Sequence, residues 1–261
     1  MSIEKTENVF FGVIEDLRDY LPDLTLVGGW MPFVYSRYLW KTAVKTQVTT
    51  VDIDFGVDQT ISRNYPRTIF QTLTSLNYRE RHMAMDRMFP VVLYKGNVPV
   101  EFITYPDVDI ETIEKMVGRQ IHVNKIDRFD FLLDNRIPID VSSGKRIFRI
   151  NCPRPSAFLY HKGATFIERE NNEKKAKDLY YMYFIMRFAP DIESILQEIS
   201  QYAEKRKLPT VSDNMNKYFE RISSQGCLLV EQENGIDEFI REIRQDIFDR
   251  FKRLREALSA R

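Results

Sequence analysis

The sequence predicts an α/β (α+β) protein, with a mixed-sheet core followed by a helical C-terminal domain. Up to about residue 150, short apolar or β-branched runs alternate with segments whose apolar residues recur at helical spacing. Beyond Pro153 and Pro155 the pattern is almost entirely helical. Strands mixed with helices, then helices alone, point to a sheet-bearing core with a helical appendage. At 261 residues the chain is long enough for one large domain or two smaller ones. The boundary is expected near residues 151–155, giving domains of 1–152 and 153–261. No internal repeat or low-complexity segment is visible.

Taken in order, residues 3–20 place Val9, Phe10, Val13, Ile14 and Leu17 on one helical face, and Pro22 closes that helix. Residues 24–27 form a short apolar strand broken by Gly28-Gly29, after which a helix is expected with Met31, Val34, Tyr35 and Tyr38 inward. Residues 47–57 read as a strand rich in β-branched residues, and 65–76 as a helix. Residues 88–94 and 98–104 form a hairpin around the turn Lys95-Gly96-Asn97. Four further strand-like runs follow at 120–123, 129–133, 137–141 and 146–150. Helices are then expected at 156–168, 173–188, 191–206, 212–224 and 236–258. In the last of these, Phe239, Ile243, Ile247, Phe251 and Leu254 mark one buried stripe, a packing face that could equally dock a partner.

Composition excludes several classes of function. The 38 basic and 38 acidic residues cancel, so a uniformly basic nucleic-acid coat is absent. Cys152 and Cys227 are far apart and match no metal-ligand spacing, which rules out a disulfide framework or a zinc site. The N-terminal residues lack the pattern of a secretory signal. No apolar run approaches the roughly 18–20 residues that span a bilayer. A soluble cytoplasmic protein is the expectation.

The chemistry concentrates between Leu26 and Phe55. Asp52 and Asp54 sit at i and i+2 in an apolar strand, so both project from one face. Their Cα atoms would lie about 6.6 Å apart along a strand, close enough for the two carboxylates to share metal ions. Like charges on one face of a hydrophobic strand are costly to leave unpaired. Divalent cations remove that conflict and can clamp the attacking and leaving oxygens of a phosphoryl displacement. Upstream, Gly28-Gly29 allows a tight turn and lets backbone N–H groups approach a phosphate with no Cβ in the way. Glu101 is the only acid in its apolar strand, and it is either a third metal ligand or an edge-strand carboxylate facing water or a basic side chain. His82, His122 and His161 show no ligand spacing.

A Gly-Gly turn, an Asp-x-Asp strand and a third carboxylate in a later strand together resemble the nucleotidyltransferase pattern of polymerase-β-like enzymes. More narrowly, the layout is similar to the AbiEii toxin group. Thr50 lies two residues before the first Asp, Lys162 lies in FLYHKGATFIER, and KAKDLYYMYFI contains Lys177, Asp178, Leu179 and Tyr180. The resemblance covers residues 24–188. It departs at Val48, where an Arg is often found, and in the long gap between Gly29 and Asp52. The resemblance implies magnesium or manganese on Asp52, Asp54 and Glu101, with an NTP bound near Gly28, Gly29, Thr50 and Lys162. Lys162 would neutralise triphosphate charge, and Asp178 would orient that Lys or accept a ribose hydroxyl. The alternative is a solvated Lys162, with Asp178 in a surface pair with Lys174. Lys174, Lys175, Lys177 and Arg169 could meet RNA phosphates, but they are interleaved with Glu168, Glu170 and Glu173, as befits a solvated face. Arg37, Lys41 and Lys45 are open to the same two readings.

The function so implied is transfer of an NMP from an NTP to an acceptor, with Glu101 completing a metal site or acting as base. The AbiEii resemblance adds tRNA as acceptor and a cognate antitoxin as partner. A small-molecule or protein nucleotidyltransferase, or a nucleotide-binding scaffold without catalysis, fits the same residues.

Overall fold

The computed structural model describes residues 3–42, 50–82, 90–234 and 243–259. The chain divides into two compact units, Met1–Pro153 and Arg154–Arg261.

The first unit opens with helix α1 (Ile3–Asp16), which buries Phe10, Val13 and Ile14, and Leu17 is buried just past its end. Strand β1 (Leu24–Val27) is buried at every position because a strand pairs with each of its edges. A single 3-10 turn at Gly28–Trp30 leads into the short helix α2 (Met31–Val34) and a π-helical turn at Tyr35–Leu39. This stretch is buried all round from Trp30 to Ser36, whereas Tyr38 is half-buried. Strand β2 (Ile53–Val57) begins later than the sequence pattern implied, and residues 47–49 of the expected strand lie outside the described ones. Helix α3 (Ile69–Ser75) starts after Thr68, whose side chain accepts from the Gln71 N–H while the Gln71 side chain accepts from the Thr68 N–H, a reciprocal cap.

Strand β3 (Arg79–His82) is exposed throughout. Strands β4 (Val91–Lys95) and β5 (Val98–Thr104) form the expected hairpin, with Gly96 at φ 65° as the first turn residue. Helix α4 (Ile110–Val117) is capped by Asp109 and stopped by Gly118 at φ 102°. Strand β6 (Val123–Lys125) follows, then helix α5 (Asp130–Asp134), then the hairpin β7 (Arg136–Ser143) and β8 (Arg146–Pro153). The run 129–133, expected as a strand, is therefore mostly helix. Three consecutive apolar residues carry no usable period, and here Phe129 and Leu133 pack over Gly56 of β2.

The sheet order is β3-β4-β5-β2-β1-β8-β7, with β6 pairing β5 beyond the end of β4. The β1–β2 pair is antiparallel, and the β2–β5 and β1–β8 pairs are parallel. On one face of β2, Ile53, Phe55 and Val57 are fully buried, and Phe55 stacks with Phe102 of β5. The other face carries Asp54 and Gly56.

The second unit is helical. Helix α6 (Pro155–Thr165) is buried from Ser156 to Thr165, as a central helix must be. Helices α7 (Asn172–Phe188), α8 (Ile192–Glu204) and α9 (Thr210–Tyr218) pack against it, while α10 (Gln225–Asn234) packs on α7 and α11 (Ile243–Ser259) on α8. Helix α11 buries Ile247, Phe251, Leu254 and Leu258, and Phe251 stacks flat on Phe219 with ring centroids 3.6 Å apart. Phe239, assigned to the same stripe from sequence, lies outside the described residues. Among the described residues no helix is long and apolar enough to cross a membrane.

Candidate active site

Asp54 occupies the second position of β2, the middle strand of the sheet path. Its register partners are Val27 on β1 and Glu101 on β5. Register partners on parallel strands project from the same face about 4.8 Å apart. Topology alone therefore sets the Asp54 and Glu101 carboxylates side by side, 47 residues apart in the chain. Both residues are half-buried.

Gly28 is fitted to this pair. Its φ is +74°, and a Cβ built there would meet Asp54 Oδ2 at 2.0 Å and Asp54 Cγ at 2.9 Å. The glycine turn is thus the wall against which the Asp54 carboxylate rests, and any side chain would occupy the carboxylate's own space. Two residues further on, Trp30 is fully buried and stacked on Phe10 at 4.1 Å. Its indole N–H donates to the backbone carbonyl of Asp52 at 3.0 Å.

Asp52 precedes β2 rather than lying within it, and it is exposed. The Trp30 hydrogen bond fixes its backbone, while Thr50, two residues earlier, is buried. Among the described residues, no three His, Cys, Asp or Glu side chains form a ready metal cage. What the fold brings together is the Asp54–Glu101 pair, with Asp52 beside it on the exposed lead-in. Their carboxylate oxygens are the donors a hard divalent cation takes. The cradle at Gly28 and the paired like charges suit such an ion.

Glu101 has a neighbour that sequence reasoning did not find. Asn124 of β6 donates from Nδ2 to Glu101 Oε2 at 3.3 Å, and His122 Nε2 lies 2.8 Å from Asn124 Oδ1. His122 had no signal in the sequence, because its link to the site runs across strands. The other histidines stand elsewhere: His82 is exposed on β3, and His161 is buried in α6.

Lys162 and Asp178 lie in the helical unit as a buried ion pair, Lys162 Nζ donating to Asp178 Oδ1 at 2.5 Å. Arg169 Nε donates to the second oxygen at 2.7 Å. Burial alone would raise the Asp178 pKa, but the charges of Lys162 and Arg169 outweigh it and hold the carboxyl below its usual value. The Lys162 side chain is 11% exposed, so it is a desolvated cation and not a solvated surface Lys. Of the other cations singled out from sequence, Arg37 pairs with Glu7 and lies over the Phe33 and Tyr38 rings, and Lys45 falls outside the described residues.

A family model described as nucleotidyltransferase matches residues 12–201, which is most of the chain. No curated protein and no solved structure matches it.

Proposed function

The chain belongs to the nucleotidyltransferase family, and from that premise we propose that it carries out magnesium-dependent transfer of an NMP from an NTP to an acceptor hydroxyl. The observation that carries this reading is the pairing of Asp54 with Glu101 on adjacent central strands, against a glycine that leaves room for nothing else. Asp52, Asp54 and Glu101 are the residues that would hold the metal. Magnesium, or manganese in its place, supplies charge neutralisation and alignment for an in-line displacement at phosphorus.

In the transfer, the acceptor oxygen bonds to the α-phosphorus as the bond to the pyrophosphate oxygen breaks, and pyrophosphate leaves. The acceptor's proton passes to a base, and Glu101 either takes it or completes the metal ligands. Gly28 keeps Asp54 in place, and Trp30 holds the backbone at Asp52. Gly28, Gly29 and Thr50 are assigned to the nucleotide. Lys162, oriented by Asp178, is assigned to the triphosphate charge.

The AbiEii resemblance makes tRNA the first acceptor to test and a cognate antitoxin the first protein partner. Four labelled NTPs should be screened with magnesium against total tRNA, total protein and aminoglycosides. Labelled tRNA with stoichiometric pyrophosphate is the expected result. Label on protein or aminoglycoside would move the acceptor to that class, and NTP binding without any pyrophosphate would leave a nucleotide-binding scaffold. Glu101→Gln keeps the shape and removes the charge, so transfer should fall on the order of 10²-fold. Unchanged kinetics would return Glu101 to an ordinary strand residue.

A further inference from the structure

We infer that Asn124 is a positioning residue for Glu101, held in its working orientation by His122. The inference rests on the reading above, in which Glu101 serves the transfer.

Backbone pairing places Asn124 where it can act. Strand β6 pairs with β5 in the register Phe102↔Val123 and Ile103↔Asn124, which sets Asn124 one diagonal step from Glu101 on the same face. The lead-in to β6 is tied on its other side to β4. Val91 N–H donates to Gln120 O at 2.8 Å, and His122 N–H donates to Val91 O at 2.8 Å. His122 and Asn124 are thus held by main-chain bonds before any side chain is considered.

The hydrogen bonds between the side chains can run in only one direction. An ionised carboxylate accepts and cannot donate, so Asn124 must present its NH2 to Glu101. Its carbonyl oxygen then faces His122 Nε2, and a hydrogen bond there requires that nitrogen to carry the proton. The chain His122 Nε2–H to Asn124 Oδ1, then Asn124 Nδ2–H to Glu101 Oε2, is self-consistent and fixes both the amide orientation and the ring tautomer. A donor on Oε2 limits rotation of the carboxylate beside Asp54. Partners of this kind commonly set the affinity and alignment of a carboxylate ligand.

The test uses the full chain and reads two quantities: magnesium binding by calorimetry, and NMP transfer resolved into kcat and KM for the NTP. Asn124→Ala should weaken magnesium binding by roughly 10–100-fold and lower kcat, with KM changed less. Asn124→Asp is nearly isosteric but sets a second carboxylate against Glu101. It should therefore fall below Asn124→Ala in kcat, the order opposite to that of a residue that merely fills space. His122→Phe should lose part of the activity, and His122→Gln, which keeps an N–H donor, should recover most of it.

If Glu101→Gln is impaired while Asn124→Ala binds magnesium and turns over as wild type does, the inference is overturned and the family reading stands. If Asn124→Asp outperforms Asn124→Ala, and melting temperature tracks activity, Asn124 is structural and the inference fails. If Glu101→Gln itself matches wild type in both readouts, the role of Glu101 falls and this inference with it.

Discussion

A methyl group at position 28 would sit 2.0 Å from Asp54 Oδ2, and the residue's φ of +74° already disfavours any side chain there. Gly28→Ala should therefore act twice. It should cost on the order of 1–2 kcal/mol of stability through the left-handed backbone, and it should displace the Asp54 carboxylate. Transfer and magnesium affinity should fall by more than the stability loss accounts for. Denaturant unfolding beside magnesium calorimetry separates the two, and a variant with normal metal affinity would show that the contact is dispensable. Asp52→Ala with Asp54→Ala should abolish transfer while the protein stays folded, because neither side chain is fully buried. A melting temperature equal to or above wild type is expected, and retained transfer would remove these acids from the chemistry. Asp52, Asp54, Gly28 and Glu101 all stood out in the sequence because each breaks a local rule, as an acid in an apolar strand or a glycine at a strand end. Asn124, His122 and Trp30 break no such rule. Their significance arises from a strand pairing and from an indole that reaches 22 residues along the chain, which no local pattern encodes.

At the scale of elements, legibility followed the length of the run more than the strength of its period. Helix α1, the β4–β5 hairpin and the long helices α7 and α8 were read closely, since these helices run for 14, 17 and 13 residues and the hairpin carries a two-residue glycine turn. Helices α4 and α10 were missed, and α5 was mistaken for strand. Helix α4 keeps a clear apolar face, but over only 8 residues between the Asp109 cap and Gly118 that face is too short a run to stand out in the sequence. The pair joining α6 to α7 offers a test at this level. Because Lys162 and Arg169 hold the Asp178 pKa down, its ionised form contributes stability at pH values above the unfolded carboxylate value of about 3.9. That contribution is lost as the pH falls through the lower folded value. Asp178→Asn should be less stable than wild type at neutral pH and should lose less on acidification from pH 4 downward. Acid titration followed by helical circular dichroism reads this directly, and identical acid limbs in the two proteins would show that the pair is not linked to folding.

For the molecule as a whole, the order of the strands was not legible. Nothing in the sequence says that β2 lies between β1 and β5, yet that placement is what turns Asp54 and Glu101 into neighbours. Each unit has its own core, the sheet of the first and the α6-centred bundle of the second. The proposed function assigns the triphosphate charge to Lys162. Lys162→Ala tests that assignment, but it also strands a buried carboxylate, and breaking one partner of a buried pair costs about 3–5 kcal/mol. Arg169 keeps part of the compensation, and the paired change Lys162→Met with Asp178→Asn removes both charges at once, so folding can be restored without the cation. In that double variant magnesium binding at the carboxylates should persist. NTP affinity should fall at least tenfold, because an ammonium in a desolvated setting attracts phosphate far more strongly than one in water. Calorimetry with magnesium alone and then with magnesium and NTP distinguishes the two effects. If the double variant folds and binds NTP as tightly as wild type, Lys162 and Asp178 are a structural pair with no part in nucleotide binding.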